Sequence, residues 1–140
     1  MSLQARLLTQ LLRDEGLQLR PYRDTVGKLT IGVGRNLDDK GISREEALEM
    51  LDHDVSEATQ SLTETLPWVT SLDEARQGVL INMAFNLGLH GLLQFHQTLQ
   101  AVENGHWRAA AQHMLDSKWA QQVGPRATRL ALQMELGKWR

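Results

Sequence analysis

Three residues in the first quarter of the chain are of types that could do acid–base chemistry: Glu15, Asp24 and Thr30. Two carboxylates facing each other across a groove can hydrolyse a glycosidic bond. One, protonated, gives its proton to the leaving oxygen; the other, ionised, activates water or attacks the sugar carbon. Different surroundings can hold two carboxyl groups in those two states. The same residues also fit a solvated Glu at a helix end and a solvated Asp in a turn. Spacing alone does not separate the two readings.

The elements that would position them are legible. Leu3, Leu7, Leu8, Leu11 and Leu12 lie on one face of a 3.6-residue period, which predicts a helix that Glu15 closes and Gly16 breaks. Leu19 to Arg23 and Lys28 to Val33 read as two strands joined through Asp24-Thr25-Val26-Gly27, with Asp first and Gly fourth as a type I turn prefers. Such a hairpin sets Asp24 near the turn and folds Thr30 back toward it.

This stretch resembles the catalytic signature of the phage-type lysozymes, glycoside hydrolase family 24. The resemblance rests on Tyr22-Arg23-Asp24-Thr25, on Thr30-Ile31-Gly32-Val33-Gly34, and on the Glu…Asp…Thr spacing of Glu15, Asp24 and Thr30. It continues through Leu80-Ile81-Asn82-Met83-Ala84-Phe85-Asn86-Leu87-Gly88 and Ser117-Lys118-Trp119 to Arg129. It therefore covers nearly the whole chain. It implies Glu15 as general acid, Asp24 as base for an attacking water, and Thr30 as the residue that positions that water, with inversion at the anomeric carbon. It also implies that Phe85 touches substrate and that Arg126 stands beside the acid; by residue type alone these would be a core Phe and a helix-surface Arg. Gly34 reads as backbone thinned for the approach of a sugar ring. Arg35 stands where the best-known members have His, and is read as a support for the cleft floor or a ligand for an anionic glycan substituent.

The remaining chain reads as helices. Ser43-Arg44-Glu45-Glu46 is a capping box opening a helix to Leu66-Pro67, about 34 Å long at about 1.5 Å per residue; the resemblance makes it the bridge between two lobes. Ser71-Leu72-Asp73-Glu74 reads as a second capping box before the most apolar helix, which Gly88 ends. Short helices are expected over Gly91–Phe95 and Thr98–Val102, and a longer one over His106–Leu115. Pro125 suits the first position of the last helix. Trp68, Trp107, Trp119 and Trp139 read as core anchors.

Composition bounds the rest. The 140 residues fit one domain. With 41% hydrophobic and 23% charged residues the chain is globular. Without cysteine it carries neither disulfide nor thiolate metal site. A formal charge of −2 argues against a nucleic-acid binder. The charge is uneven: residues 1–66 carry 8 Lys+Arg and 12 Asp+Glu, net −4, while residues 67–140 carry 7 and 5, net +2. A calcium loop starting at Asn36 fails, because Lys40 takes a ligand position and Ala47 stands where Glu is required. Gly32-Val33-Gly34 lacks the third glycine of a dinucleotide site. The five histidines lack metal-ligand spacing, so no metal or organic cofactor is expected. No apolar run is long enough to span a membrane, and the leucines near the start are too interrupted for a secretory signal.

The expectation is an α+β, phage-lysozyme-like fold over residues 1–140. Residues 16–55 would form a small antiparallel β lobe, and residues 1–15 with 56–140 a helical lobe, placing Glu15 at the junction. The expected activity is a muramidase acting on peptidoglycan. The chain is expected to be a monomeric phage endolysin held in the host cytoplasm until a holin-like pore opens the way to the wall, or else a catalytic domain of a larger protein such as a tail-associated lysozyme. A non-hydrolytic glycan-binding or scaffold module on the same fold is the alternative.

Overall fold

A computed structural model describes residues 1–140. It is a mixed fold of seven α-helices and one small antiparallel sheet, as expected. The chain divides into two compact units, Met1–Glu49 and Met50–Arg140. Gly16 and Leu17 join the first helix to the sheet that follows it.

The first unit opens with α1, Leu3–Glu15, whose N-cap Ser2 accepts from the Ala5 N–H at 3.1 Å. Gly16 ends it at φ 75°, and its N–H closes the last turn on the Leu12 carbonyl. Strands β1, Gln18–Arg23, and β2, Leu29–Gly32, pair antiparallel with Tyr22 opposite Thr30 and Arg23 opposite Leu29. A third strand, β3, Arg35–Asn36, continues the sheet in the order β1-β2-β3, with Thr30 opposite Asn36 and Ile31 opposite Arg35. At two residues β3 is too short to leave a periodic signal in the sequence.

Helix α2, Arg44–Thr65, carries the boundary between the units. Its start is the capping box expected from Ser43 and Glu46: the Glu46 N–H donates to Ser43 Oγ at 3.0 Å, and the Ser43 N–H donates to Glu46 Oε1 at 2.8 Å. The Arg35 guanidinium also binds this carboxylate, and the two together hold the Glu46 carboxyl down to about 2. Because the folded state depresses this group, its stabilising contribution is full above the ordinary value of 4.5 and is lost as pH falls toward about 2. Denaturant unfolding of wild type and Glu46→Gln should therefore differ most near neutral pH. The difference should shrink steadily on acidification through that window.

In the second unit a 3₁₀ turn, Pro67–Ser71, precedes α3, Glu74–Leu93. This corrects the second expected capping box. Ser71 lies inside the 3₁₀ turn that Pro67 opens, and Asp73 is the N-cap, accepting from the Arg76 N–H at 3.0 Å. Gly88 ends the apolar stretch of α3, as expected: it leaves helical geometry at φ 77°, ψ 160°, and a second short helical stretch follows to Leu93. Helices α4, His96–Glu103, α5, Trp107–Leu115, α6, Lys118–Val123, and α7, Pro125–Leu136, complete the unit. Pro125 takes the first-turn position its fixed φ suits.

The core belongs to this unit. Leu62, Val69, Val79, Leu80, Met83, Leu92, Val102, Met114 and Met134 are fully buried. Ala110 and Ala111 of α5 and Ala127 and Ala131 of α7 are buried too; such small residues suit the close packing of those two helices. Trp119 is buried and meets Phe95 edge-on with ring centroids 6.0 Å apart. Trp68 and Trp107 pack on the core's edge, and Arg76 lies 4.0 Å over the Trp107 ring. Trp139 departs from the expected core role at 66% exposed. It lies beyond α7, and its ring covers Gly78, where any side chain would collide with it. No single helix is long and apolar enough to cross a membrane.

Candidate active site

The hairpin turn is built around Asp24. Its carbonyl accepts from the Gly27 N–H at 3.0 Å, the bond of a β-turn, and Gly27 takes φ 85°. Its side chain reinforces the turn: Oδ1 accepts from the Val26 N–H at 3.0 Å and the Lys28 N–H at 2.8 Å. Oδ1 is thus committed to the backbone, and no protein hydrogen bond engages Oδ2. Thr30 is 3% exposed, and its hydroxyl donates to the Lys28 carbonyl at 2.8 Å. The same carbonyl accepts from the Asp24 N–H at 2.9 Å. Lys28 therefore ties the Asp24 backbone and the Thr30 hydroxyl to one oxygen, and Thr30 Oγ1 is left as an acceptor. The Lys28 ammonium pairs with Asp39 at 3.1 Å, which raises its pKa.

Glu15 is the last residue of α1 and is exposed. Its carboxylate lies against the turn between β2 and β3: a Cβ added to Gly34 would sit 2.9 Å from Glu15 Oε2. Gly34 also holds φ 72°, a region costly to residues with a Cβ. The close neighbour of this thinned backbone is therefore the Glu15 carboxylate. For Gly34→Ala we expect turnover to fall about 100-fold, the scale of a catalytic group displaced by about 1 Å. The stability cost should be only about 1–2 kcal/mol, from the positive φ, because the flexible carboxylate can move aside. Steady-state kinetics beside thermal unfolding would check both.

Arg35 is held by its own unit. Its two terminal nitrogens bind Glu46 at 2.8 and 2.7 Å, and Nη1 also reaches the Gly41 carbonyl at 3.3 Å. The guanidinium is thus engaged by Glu46 and the Gly41 carbonyl.

The second unit holds the other two residues singled out by sequence. Phe85, on α3, is 44% exposed, so it is not a plain core residue. Arg126, in the first turn of α7, is aimed by Asn82 of α3, whose Oδ1 accepts from Nε at 3.1 Å and Nη2 at 2.8 Å. One turn on, Asn86 Oδ1 accepts from Trp119 Nε1 at 2.8 Å. Sequence reasoning does not single out Asn82 and Asn86 as anchors. A signal is nonetheless present: two amides at i and i+4 share one face of the most apolar helix, where an unpartnered amide is costly.

The phage lysozyme family model matches residues 13–133, a span containing every residue named above as a candidate. The chain is 31% identical over 154 aligned positions to probable T4-type lysozyme 1 of Dictyostelium discoideum, covering 89% of this chain and 90% of that protein. It is 26% identical to probable T4-type lysozyme 2 of the same organism, with the same coverage. It is also 29% identical to the pre-baseplate central spike protein Gp5 of Enterobacteria phage T4, where the match spans 87% of this chain but 26% of the spike protein. With the Glu15, Asp24 and Thr30 signature lying inside one family match that runs across both units, the chain belongs to the phage lysozyme family.

Proposed function

We propose that the protein is a muramidase that hydrolyses the β-1,4 bond between N-acetylmuramic acid and N-acetylglucosamine in peptidoglycan. The observation that carries this reading is the division of labour inside the first unit. Asp24 spends one carboxylate oxygen on its turn and leaves the other without a protein hydrogen bond, and Thr30 is fixed to the same backbone oxygen beside it. The Glu15 carboxyl donates its proton to the glycosidic oxygen as the C1–O bond breaks. A water held by Thr30 Oγ1 gives a proton to Asp24 Oδ2 and bonds C1 from the opposite face. The product then has inverted configuration, and both carboxyl groups exchange protons with solvent before the next turnover. A hydroxyl as enclosed as that of Thr30 addresses one ordered water rather than bulk solvent. Phe85 and Arg126 are proposed to contact the glycan, Phe85 by stacking and Arg126 by its charge. No step calls for a metal or organic cofactor.

We assign the protein to the inverting glycosidases of glycoside hydrolase family 24 and to the lysis of bacterial cells as a monomeric phage endolysin. It would be held in the host cytoplasm and reach the wall through a holin-like pore. The similarity to a spike protein favours a second setting, in which the same domain cuts the wall as part of a larger phage assembly. The reading is tested by incubating the protein with purified peptidoglycan and identifying the new reducing ends. Muramic acid termini are expected. Glucosamine termini would make the bond assignment wrong, and no cleavage of any peptidoglycan type by the folded protein would overturn the enzyme reading.

A further inference from the structure

Arg35 and Glu46 form the tightest ion pair of the first unit, and neither is among the residues that do the proposed chemistry. Their two hydrogen bonds run parallel, at 2.8 and 2.7 Å, in the fork geometry that suits Arg to a carboxylate. The circuit closes on itself. Glu46 Oε1 also accepts from the Ser43 N–H, and Arg35 also donates to the Gly41 carbonyl. The side chain of β3 is thereby fastened to the first turn of α2 and to the loop between them. Arg35 directly follows Gly34, where an added Cβ would lie 2.9 Å from the Glu15 carboxylate, and pairs across the sheet with Ile31. Gly32, the last residue of β2, and Gly34, both at φ 72°, flank Val33 just before β3. Two glycines make that stretch pliable, and β3 is only two residues long. Main-chain bonds alone give it little hold.

We propose that the Arg35–Glu46 pair is a positioning clasp: it holds the Gly34 backbone against Glu15 and so fixes where the general acid points. The catalytic part of this inference rests on the muramidase reading; the structural part does not. Arg35 thus takes the supporting one of the two roles its position suggested, cleft-floor support or glycan ligand. A lysine at this position would keep the charge and lose the fork, so it should not substitute fully.

The test uses Arg35→Met and the milder Arg35→Lys in the full chain, both compared with wild type at a temperature where circular dichroism shows all three folded. Two readouts are taken. The first is the through-space NMR contact between the Gly34 Hα protons and the Glu15 Hγ protons, which needs no substrate. It should be clear in wild type, weakened in Arg35→Lys and lost in Arg35→Met. The second is turnover on peptidoglycan. In Arg35→Met kcat should fall about 10- to 100-fold, as expected for a catalytic group held loosely, with KM changed less than about 2-fold and partial rescue in Arg35→Lys. An unchanged Gly34–Glu15 contact in Arg35→Met overturns the clasp, whatever the activity. A raised KM at constant kcat also overturns it and restores Arg35 as a glycan ligand. Lowered thermal stability with contact and kcat both unchanged reduces the pair to a structural brace and overturns it too. Inactive wild type defeats the muramidase reading instead, and the NMR contact still decides the clasp.

Discussion

Glu15→Gln should abolish turnover and leave the fold as stable as wild type, or slightly more so. The carboxamide fits the same space against Gly34 but has no proton of suitable acidity for the leaving oxygen. Loss of a general acid costs typically about 10²–10⁴-fold, and for this variant a loss of at least about 10³-fold is expected. The stability expectation follows from the position of the side chain. Glu15 ends α1, where a negative charge opposes the helix dipole; removing it is worth about 0.3–1 kcal/mol at an exposed site. No hydrogen bond from Glu15 to the rest of the protein is sacrificed. A protein that loses activity and gains a little stability at one position behaves as one whose acid is kept for chemistry. Reducing-end release and thermal unfolding, measured on the same preparations, would show it.

The second large effect separates the two oxygens of Asp24. Asp24→Asn keeps an Oδ1 that can accept from the Val26 and Lys28 N–H groups, and Asn is at home in such a turn. The proposed base is gone, so turnover should fall by about 10²–10⁴-fold in a folded protein. Asp24→Ala removes both functions. It should lose the same activity and in addition about 1–2 kcal/mol of stability, the loss of two charge-assisted bonds from a partly exposed site. If the two variants lost stability equally, Oδ1 would not be the turn's anchor. If Asp24→Asn kept wild-type turnover, the base would have to be another group.

The parts of this molecule that are legible in its sequence are those made by neighbours in the chain. The Asp24–Gly27 turn, the Ser43–Glu46 cap, the break after Glu15 and the Pro125 start are each decided within four residues. The structure has them as the local chemistry requires. The readings that needed correction are decided further away. Ser71 loses the cap to Asp73 because Pro67 has already wound the chain into a 3₁₀ turn. Trp139 finds Gly78, 61 positions earlier, a pairing no periodicity announces.

The same division runs through the candidate site. Glu15, Asp24 and Thr30 stand out by type and spacing. What holds them does not: the Lys28 carbonyl shared by Asp24 and Thr30 is a backbone group, and the contact of Gly34 with Glu15 is the absence of a side chain. Arg35 is visible in the sequence as an unusual residue, but its partner is not, because Glu46 reads first as a helix cap. The amides of Asn82 and Asn86 gain meaning only once α6 and α7 bring Trp119 and Arg126 to them.

Acid–base inversion is decided by the configuration of the first product. Peptidoglycan fragments are digested in an NMR tube and the anomeric proton of the new reducing end is followed before mutarotation. An acid at Glu15 with a base at Asp24 acting through water predicts that the α-anomer appears first and the β-anomer only by later equilibration. Appearance of the β-anomer first would mean that the sugar was carried through a covalent intermediate. Asp24 would then be a nucleophile, and Thr30 would have no attacking water to position in the bond-breaking step.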